Sequence, residues 1–292
     1  MKLNKLEKSR VLFSKNIEIF RCAICKDHMM VKNNNSLICS NGHCFDISRK
    51  GYVNLINRSS NQVYNQELFE ARNKIYLRGC YDPLTKELIH LIELYLPMNH
   101  QKYILDAGCG EGYYLNQISK DKKLYGTSNF VGIDLSKEGI RMATRGNSKI
   151  LWCISDLANM PLKSDKMDVI LNILSPANYE EFVRVLKKDG IVIKVIPEPQ
   201  YLKEIRALLG DRIKRDHYSN ENVMRVFQSH LGLIAEKKLN YQWEINESDL
   251  RNLIKMTPMT SRLTAEEIET LVIRKISSIT IDLKILVGQY KS

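Results

Sequence analysis

Four cysteines and two histidines crowd into residues 22–44, and three alternating glycines follow an acid at residue 106. Cys22-Ala23-Ile24-Cys25 is a Cys-x2-Cys knuckle, and Cys39-Ser40-Asn41-Gly42-His43-Cys44 is a second ligand-rich turn thirteen residues later. Two ligands three residues apart can reach one ion across a tight turn, so two such turns describe a closed tetrahedral zinc site. Cys22, Cys25 and Cys39 supply three ligands, and the fourth is His43 or Cys44. Spacing does not choose between them. A site filled by four protein ligands leaves no position for water, so its role is structural. Buried free thiols are the weaker alternative, because all four cysteines share one short segment.

The second cluster is Asp106-Ala107-Gly108-Cys109-Gly110-Glu111-Gly112. An apolar run, Tyr103-Ile104-Leu105, precedes it and an amphipathic run follows. That order predicts a buried parallel strand, a tight turn and a helix start. Glycine lets backbone approach a ligand closely. Asp106, at the strand end, is placed to meet an ammonium group. The spacing is Gly-x-Gly-x-Gly, which differs from the dinucleotide fingerprint. A second strand ends at Ile133-Asp134-Leu135, where an acid can accept from a ribose diol. A third, Ile150–Ile154, leads to Asp156, placed for an adenine amino group. A fourth, Met167–Asn172, opens into Ile173-Leu174-Ser175-Pro176, and a fifth runs Gly190–Ile196. Leu135 and Asn172 are counted with the ligand contacts on their place at strand ends.

Five strands in this order, with acids ending three of them, resemble the class I S-adenosylmethionine-dependent methyltransferases. The competing reading is a doubly wound domain for another nucleotide. The resemblance implies an α/β Rossmann-like sheet of seven strands with the last antiparallel. Ser277–Val287 alternates apolar and polar residues and is expected to be that last strand, after an extended run from Gly232 to Ile245.

The elements that position these clusters divide the 292 residues into three parts. Residues 1–60 form a zinc-binding, RNA-contacting module; 61–98 form a helical linker and lid; 99–292 form the methyltransferase domain. Helices are expected at Glu67–Leu77, Pro83–Leu96 and Tyr201–Leu209, with Ser219, Ser248 and Thr264 capping three more. Val11–Phe20 is left as packing segment or loose arm. The net charge is +11, and residues 1–60 hold eleven Lys or Arg against Glu7, Glu18, Asp27 and Asp46. A basic surplus concentrated in one fifth of the chain suits a polyanion. Arg49, Lys50 and Tyr52 combine cations with a ring, as phosphate contact and base stacking require. No apolar run is long enough to span a membrane, and no export signal is read, so a cytoplasmic protein is expected. His217 sits in a charged loop and reads as solvated.

In full, Cys-x2-Cys with Cys39-x3-His43-x-Phe45-Asp46 is followed by Gly51-Tyr52-Val53-Asn54-Leu55, Tyr81-x-Pro83-Leu84, the glycine loop with Tyr113-Tyr114, and Met256-Thr257-Pro258. This combination resembles the bacterial 23S rRNA guanine-N1 methyltransferases across residues 20–290. The resemblance implies zinc on Cys22, Cys25, Cys39 and His43, and cofactor contacts at Tyr81, Gly110, Glu111 and Tyr201. Tyr201 stands where relatives can have His, and Leu174-Ser175-Pro176 where relatives often have Tyr-Ala-Pro. It also implies 23S rRNA as substrate, homodimerisation, and for some members a link to macrolide resistance. Asp156 and Glu198 are the candidates for taking the guanine N1 proton. Two other readings are a small-molecule methyltransferase propped by its ribbon, and a non-catalytic RNA-binding protein. The intact Asp106, Gly108, Gly110, Gly112 and Asp134 speak against the latter.

Overall fold

The computed structural model describes residues 3–32, 35–56, 66–97, 100–210, 219–257, 260, 263–273 and 276–291. The chain opens with α1 (Lys5–Lys15), β1 (Met29–Lys32), β2 (Ser36–Cys39), β3 (Cys44–Asp46) and β4 (Tyr52–Asn54). Two helices follow, α2 (Gln66–Leu77) and α3 (Asp82–Tyr95). Then come β5 (Lys102–Ala107), α4 (Tyr113–Ile118), β6 (Ser128–Asp134), α5 (Lys137–Ala143), β7 (Ile150–Ile154) and β8 (Met167–Ile173). The remainder is α6 (Tyr179–Val185), β9 (Leu186–Pro197), α7 (Lys203–Leu209), α8 (Glu221–His230), β10 (Leu231–Glu244), α9 (Glu247–Met256), α10 (Ala265–Val272) and β11 (Ser278–Tyr290).

The large sheet runs β10-β11-β9-β8-β5-β6-β7-β4, with β11 antiparallel to both neighbours. The seven expected strands are present, the last antiparallel. An eighth joins them: β4 pairs in parallel with β7, setting Tyr52 opposite Trp152. Tyr52 is therefore buried in the core, which corrects its expected role in base stacking. β8 is buried along its whole length, as a central strand with helices on both faces must be. The strand order reverses between β5 and β8, and ligands bind at such a switch point beyond the strand ends.

The N-terminal segment is not a loose arm. α1 is held by an Asn4–Glu7 capping box and buries Phe13, which meets Phe20 at 5.6 Å. Phe20 bridges to Leu162, and Leu55 donates its N–H to Ile154. The ribbon strands β1–β3 thus share one apolar core with β5–β7. Several boundaries differ from expectation; α7 begins at Lys203, which leaves Tyr201 ahead of the helix. Asn246, not Ser248, caps α9 through a capping box with Asp249. Asn220, not Ser219, precedes α8. β9 begins at Leu186 and not at the expected Gly190, because Leu186 pairs with Met167. No helix of the described residues is long and apolar enough to cross a membrane.

Candidate active site

The two knuckles close on each other. The ligand atoms of Cys22, Cys25, Cys39 and His43 all lie within 4.8 Å of one another. Individual separations are 3.6 Å from Cys22 Sγ to His43 Nδ1, 3.7 Å from Cys25 Sγ to Cys39 Sγ, and 3.3 Å from Cys39 Sγ to His43 Nδ1. Tetrahedral zinc with its usual bond lengths separates its ligands by about 3.5–3.8 Å, so the set fits. Cys44 is exposed on β3 and outside the cluster. Lys26 and Gly42, both at positive φ, bend the chain at the two turns. Asp27 ties one turn to the other by accepting from Ser40 and Asn41.

Across the sheet, a cavity of about 440 Å³ lies beyond the ends of β5, β6, β8 and β9. Its floor is the glycine loop. Gly108 has φ +86°, and a Cβ there would stand 1.9 Å from Ser175 Oγ. Gly112 has φ +70°, and its Cβ would stand 2.4 Å from the Trp152 ring. Only glycine fits either position. Gly110 N donates to Asp134 at 2.7 Å, and Ser136 N donates to the other oxygen at 2.7 Å. α2 and the end of α9 roof the cavity with Phe69, Arg72, Tyr76, Met256 and Thr257. Arg72 forms a two-pronged ion pair with the buried Glu111 carboxylate. Tyr81 and Tyr201 meet hydroxyl to hydroxyl at 2.5 Å in the wall, and Tyr76 stacks on Tyr113 at 4.2 Å.

Family comparisons cover both halves of this arrangement. Residues 20–57 match the model "RlmA, N-terminal" zinc ribbon, and residues 99–247 match "Methyltransferase domain". A Bacillus subtilis protein provisionally named 23S rRNA (guanine-N(1)-)-methyltransferase is 37% identical, over 94% of this chain and 98% of its own. The chain belongs to the 23S rRNA guanine-N1 methyltransferase family. A Streptomyces fradiae member, 23S rRNA (guanine(748)-N(1))-methyltransferase, is 24% identical over 86% of the chain and 89% of its own. By contrast, a malonyl-[acyl-carrier protein] O-methyltransferase of Hamiltonella defensa aligns with 32% of the chain and 37% of its own, at 24% identity.

The family's cofactor, S-adenosylmethionine, fits the cavity on one observation above others. Asp106 is 1% exposed, and its Oδ2 has no hydrogen-bond partner among the described residues. A buried carboxylate left so is costly unless a cation or donor completes it. Tyr81, Asp106, Gly108, Gly110, Glu111, Asp134 and Tyr201 line the cavity together. Gly112 stands just behind as the left-handed start of α4. Asp156 is exposed at the end of β7, accepting from Ala158 N, outside the cavity wall.

Three expected site residues stand outside the cavity wall. Asn172 is fully buried, and its amide donates to Ala107 O and Pro176 O, so it frames the site instead of lining it. Leu135 is 43% exposed and outside the wall. Glu198 lines a separate surface groove and accepts from Asn220 at 2.9 Å. His217 lies outside the described residues. Sequence reasoning passed over Arg72 and Lys194. Lys194 carried a signal: it is the one charge in the apolar run Ile191–Ile196.

Burial, with the charges of Asp134 and Glu111, pushes the Asp106 carboxyl up to about 8. In the ligand-free protein this group therefore holds its proton at neutrality. Its contribution to stability is complete below about pH 4 and fades as pH rises through 8. An ammonium opposite it favours the carboxylate, so cofactor binding should release a proton. Affinity should then strengthen by up to about tenfold per pH unit from about pH 5 to 7. Calorimetry in buffers of different ionisation enthalpy measures the release, and Asp106→Asn should abolish it. Equal proton counts in wild type and variant would contradict this role.

Proposed function

We propose that this chain transfers a methyl group from S-adenosylmethionine to N1 of a guanine in a hairpin of 23S rRNA. The observation that carries the reading is the joint match of ribbon and methyltransferase domain to relatives named for that reaction. The methyltransferase named for an acyl-carrier protein matches only about a third of the chain, 32% of it. A small-molecule enzyme has no use for a basic ribbon built into its sheet.

Within this reading, residues 1–60 grip RNA, 61–98 cover the cofactor and 99–292 hold the chemistry. The ribbon's contribution rests on the Ser48–Tyr52 turn, which leaves Arg49 and Lys50 exposed at its tip. Zinc is assigned to Cys22, Cys25, Cys39 and His43. The cofactor is assigned to Tyr81, Asp106, Gly108, Gly110, Glu111, Gly112, Asp134 and Tyr201, with Asp156 toward the adenine edge. When bound, the cofactor supplies an electrophilic methyl on a sulfonium. Asp106 faces its cationic end, Asp134 holds the ribose, and the tyrosine wall excludes water. The Leu174–Pro176 loop then receives a guanine splayed from its hairpin, because N1 is inaccessible in a pair. Rate comes from holding N1 about 3–3.5 Å from the methyl carbon. A cytoplasmic homodimer completes the reading, and light scattering tests the dimer.

Labelled cofactor incubated with unmodified 23S rRNA, followed by digestion to nucleosides, should give 1-methylguanosine alone. Label in another nucleoside, or in small metabolites only, would overturn the reading.

A further inference from the structure

Lys194 stands near the C-terminal end of β9, 5% exposed, in the wall of the cofactor cavity. Its ladder neighbours are Asn172 on β8 and Leu286 on β11. Nζ donates to Asn172 Oδ1 and to Ser175 O, each at 2.5 Å. Both partners are neutral. A buried amine with neutral partners is costly to charge, and burial lowers it to about 8. A neutral lysine has two N–H donors and one lone pair. Two acceptors therefore orient the group completely and leave the lone pair free.

The other cavity groups are poorer acceptors. Glu111 is committed to Arg72. Both oxygens of Asp134, from β6, take backbone N–H groups. Asp106, from β5, is assigned to the cofactor's ammonium group, which holds it as a paired carboxylate. Burial pushes the hydroxyls of Tyr76, Tyr81 and Tyr201 further above their usual range. Among the described titratable groups lining the cavity, Lys194 is the one that hydrogen-bonds to the Leu174–Pro176 loop, the side assigned above to the target base.

We propose that Lys194 Nζ, aimed by Asn172 and Ser175, accepts the N1 proton of the target guanine. This rests on the guanine-N1 reading above. N1 forms its bond to the methyl carbon while the S–C electron pair stays on sulfur. The N1–H electron pair stays on the ring as the proton moves to the Nζ lone pair. One positive charge leaves sulfur and one appears on Nζ, so the cavity keeps its net charge throughout. Such transfer avoids building charge in a low-dielectric site. The ammonium then loses its proton to water.

Two measurements test this. In cofactor-free protein carrying 13Cε-lysine, the Lys194 resonance, assigned by its absence in Lys194→Arg, should titrate near pH 8. Single-turnover methylation of an RNA hairpin should rise with unit slope and level off above a comparable pH. Lys194→Met and Lys194→Arg should both lose about 100- to 10,000-fold at pH 7, since a guanidinium takes no proton there. Methylamine should partly restore Lys194→Ala and leave Lys194→Arg unchanged, whereas a merely structural role predicts no rescue. Retention of a tenth or more of the rate in Lys194→Arg, a resonance that does not titrate between pH 6 and 9.5, or absent rescue would overturn the assignment while leaving guanine methylation standing. A wild type that forms no 1-methylguanosine would remove both.

Discussion

Replacing Cys39 with serine should empty the zinc site, lower the melting temperature by on the order of 10 °C, and reduce RNA methylation at least about 100-fold. Cys39 ends β2, is 3% exposed, and its N–H donates to His43 O across the second turn. It is one of four ligands in a closed set, so its loss leaves the ion only three protein ligands. The ribbon sheet consists of three strands of four, four and three residues. A module that small seldom folds on its own apolar burial, and structural zinc contributes folding free energy directly. The damage should spread, because Phe20, Val53 and Leu55 belong to the same core as β6 and β7. Metal analysis, scanning calorimetry and a labelled methyl-transfer assay on RNA measure the three effects. Full zinc content with unchanged methylation would show that the cluster is not the ribbon's fastener.

The second large effect is expected from Gly108→Ala, on the opposite side of the molecule. At φ +86° a side chain is strained by about 1–3 kcal/mol. The new Cβ also meets Ser175 at 1.9 Å to Oγ and 2.8 Å to Cβ, too close for rotation of the hydroxyl alone to relieve. Ser175 must therefore move, and its carbonyl is one of the two acceptors holding Lys194. A single methyl disturbs the cofactor floor and the base-facing loop together. Cofactor affinity should fall at least about 100-fold, roughly 2.8 kcal/mol, while zinc content stays at one equivalent. Calorimetric titration with S-adenosylhomocysteine checks it. A change within threefold would mean that the glycine loop is not the floor on which the cofactor rests.

Gly108→Ala and Cys39→Ser act on features legible in the sequence, and the reason is physical. Apolar runs ended by Asp106 and Asp134 mark strand ends, because a parallel strand buried on both faces needs an unbroken apolar stretch and its turn does not. Paired cysteines three apart carry their own geometry. Direction was harder to read. Glu198 sits between two prolines at the ligand-facing edge, yet Asn220 and Lys284 draw its carboxylate the other way. Asn172 ends a strand beside the cavity and spends its amide on the frame. Tyr52 looked free until a strand pairing one hundred residues away in sequence, β4 with β7, placed it under the sheet. Such orientations depend on long-range partners that no local period encodes. Lys194 is the converse case, a charge amid apolar neighbours whose local oddity is visible in the sequence but was passed over.

The most direct measurement is primer extension on 23S rRNA lacking its native modifications, after incubation with the protein and S-adenosylmethionine. N1 methylation removes the Watson–Crick donor of guanine, so reverse transcriptase must halt. The expected result is one strong stop, one nucleotide before a single hairpin guanine, absent without cofactor and lost in Cys39→Ser and Gly108→Ala. Methyl label in the RNA with no stop, or stops unchanged when cofactor is withheld, would contradict guanine-N1 chemistry.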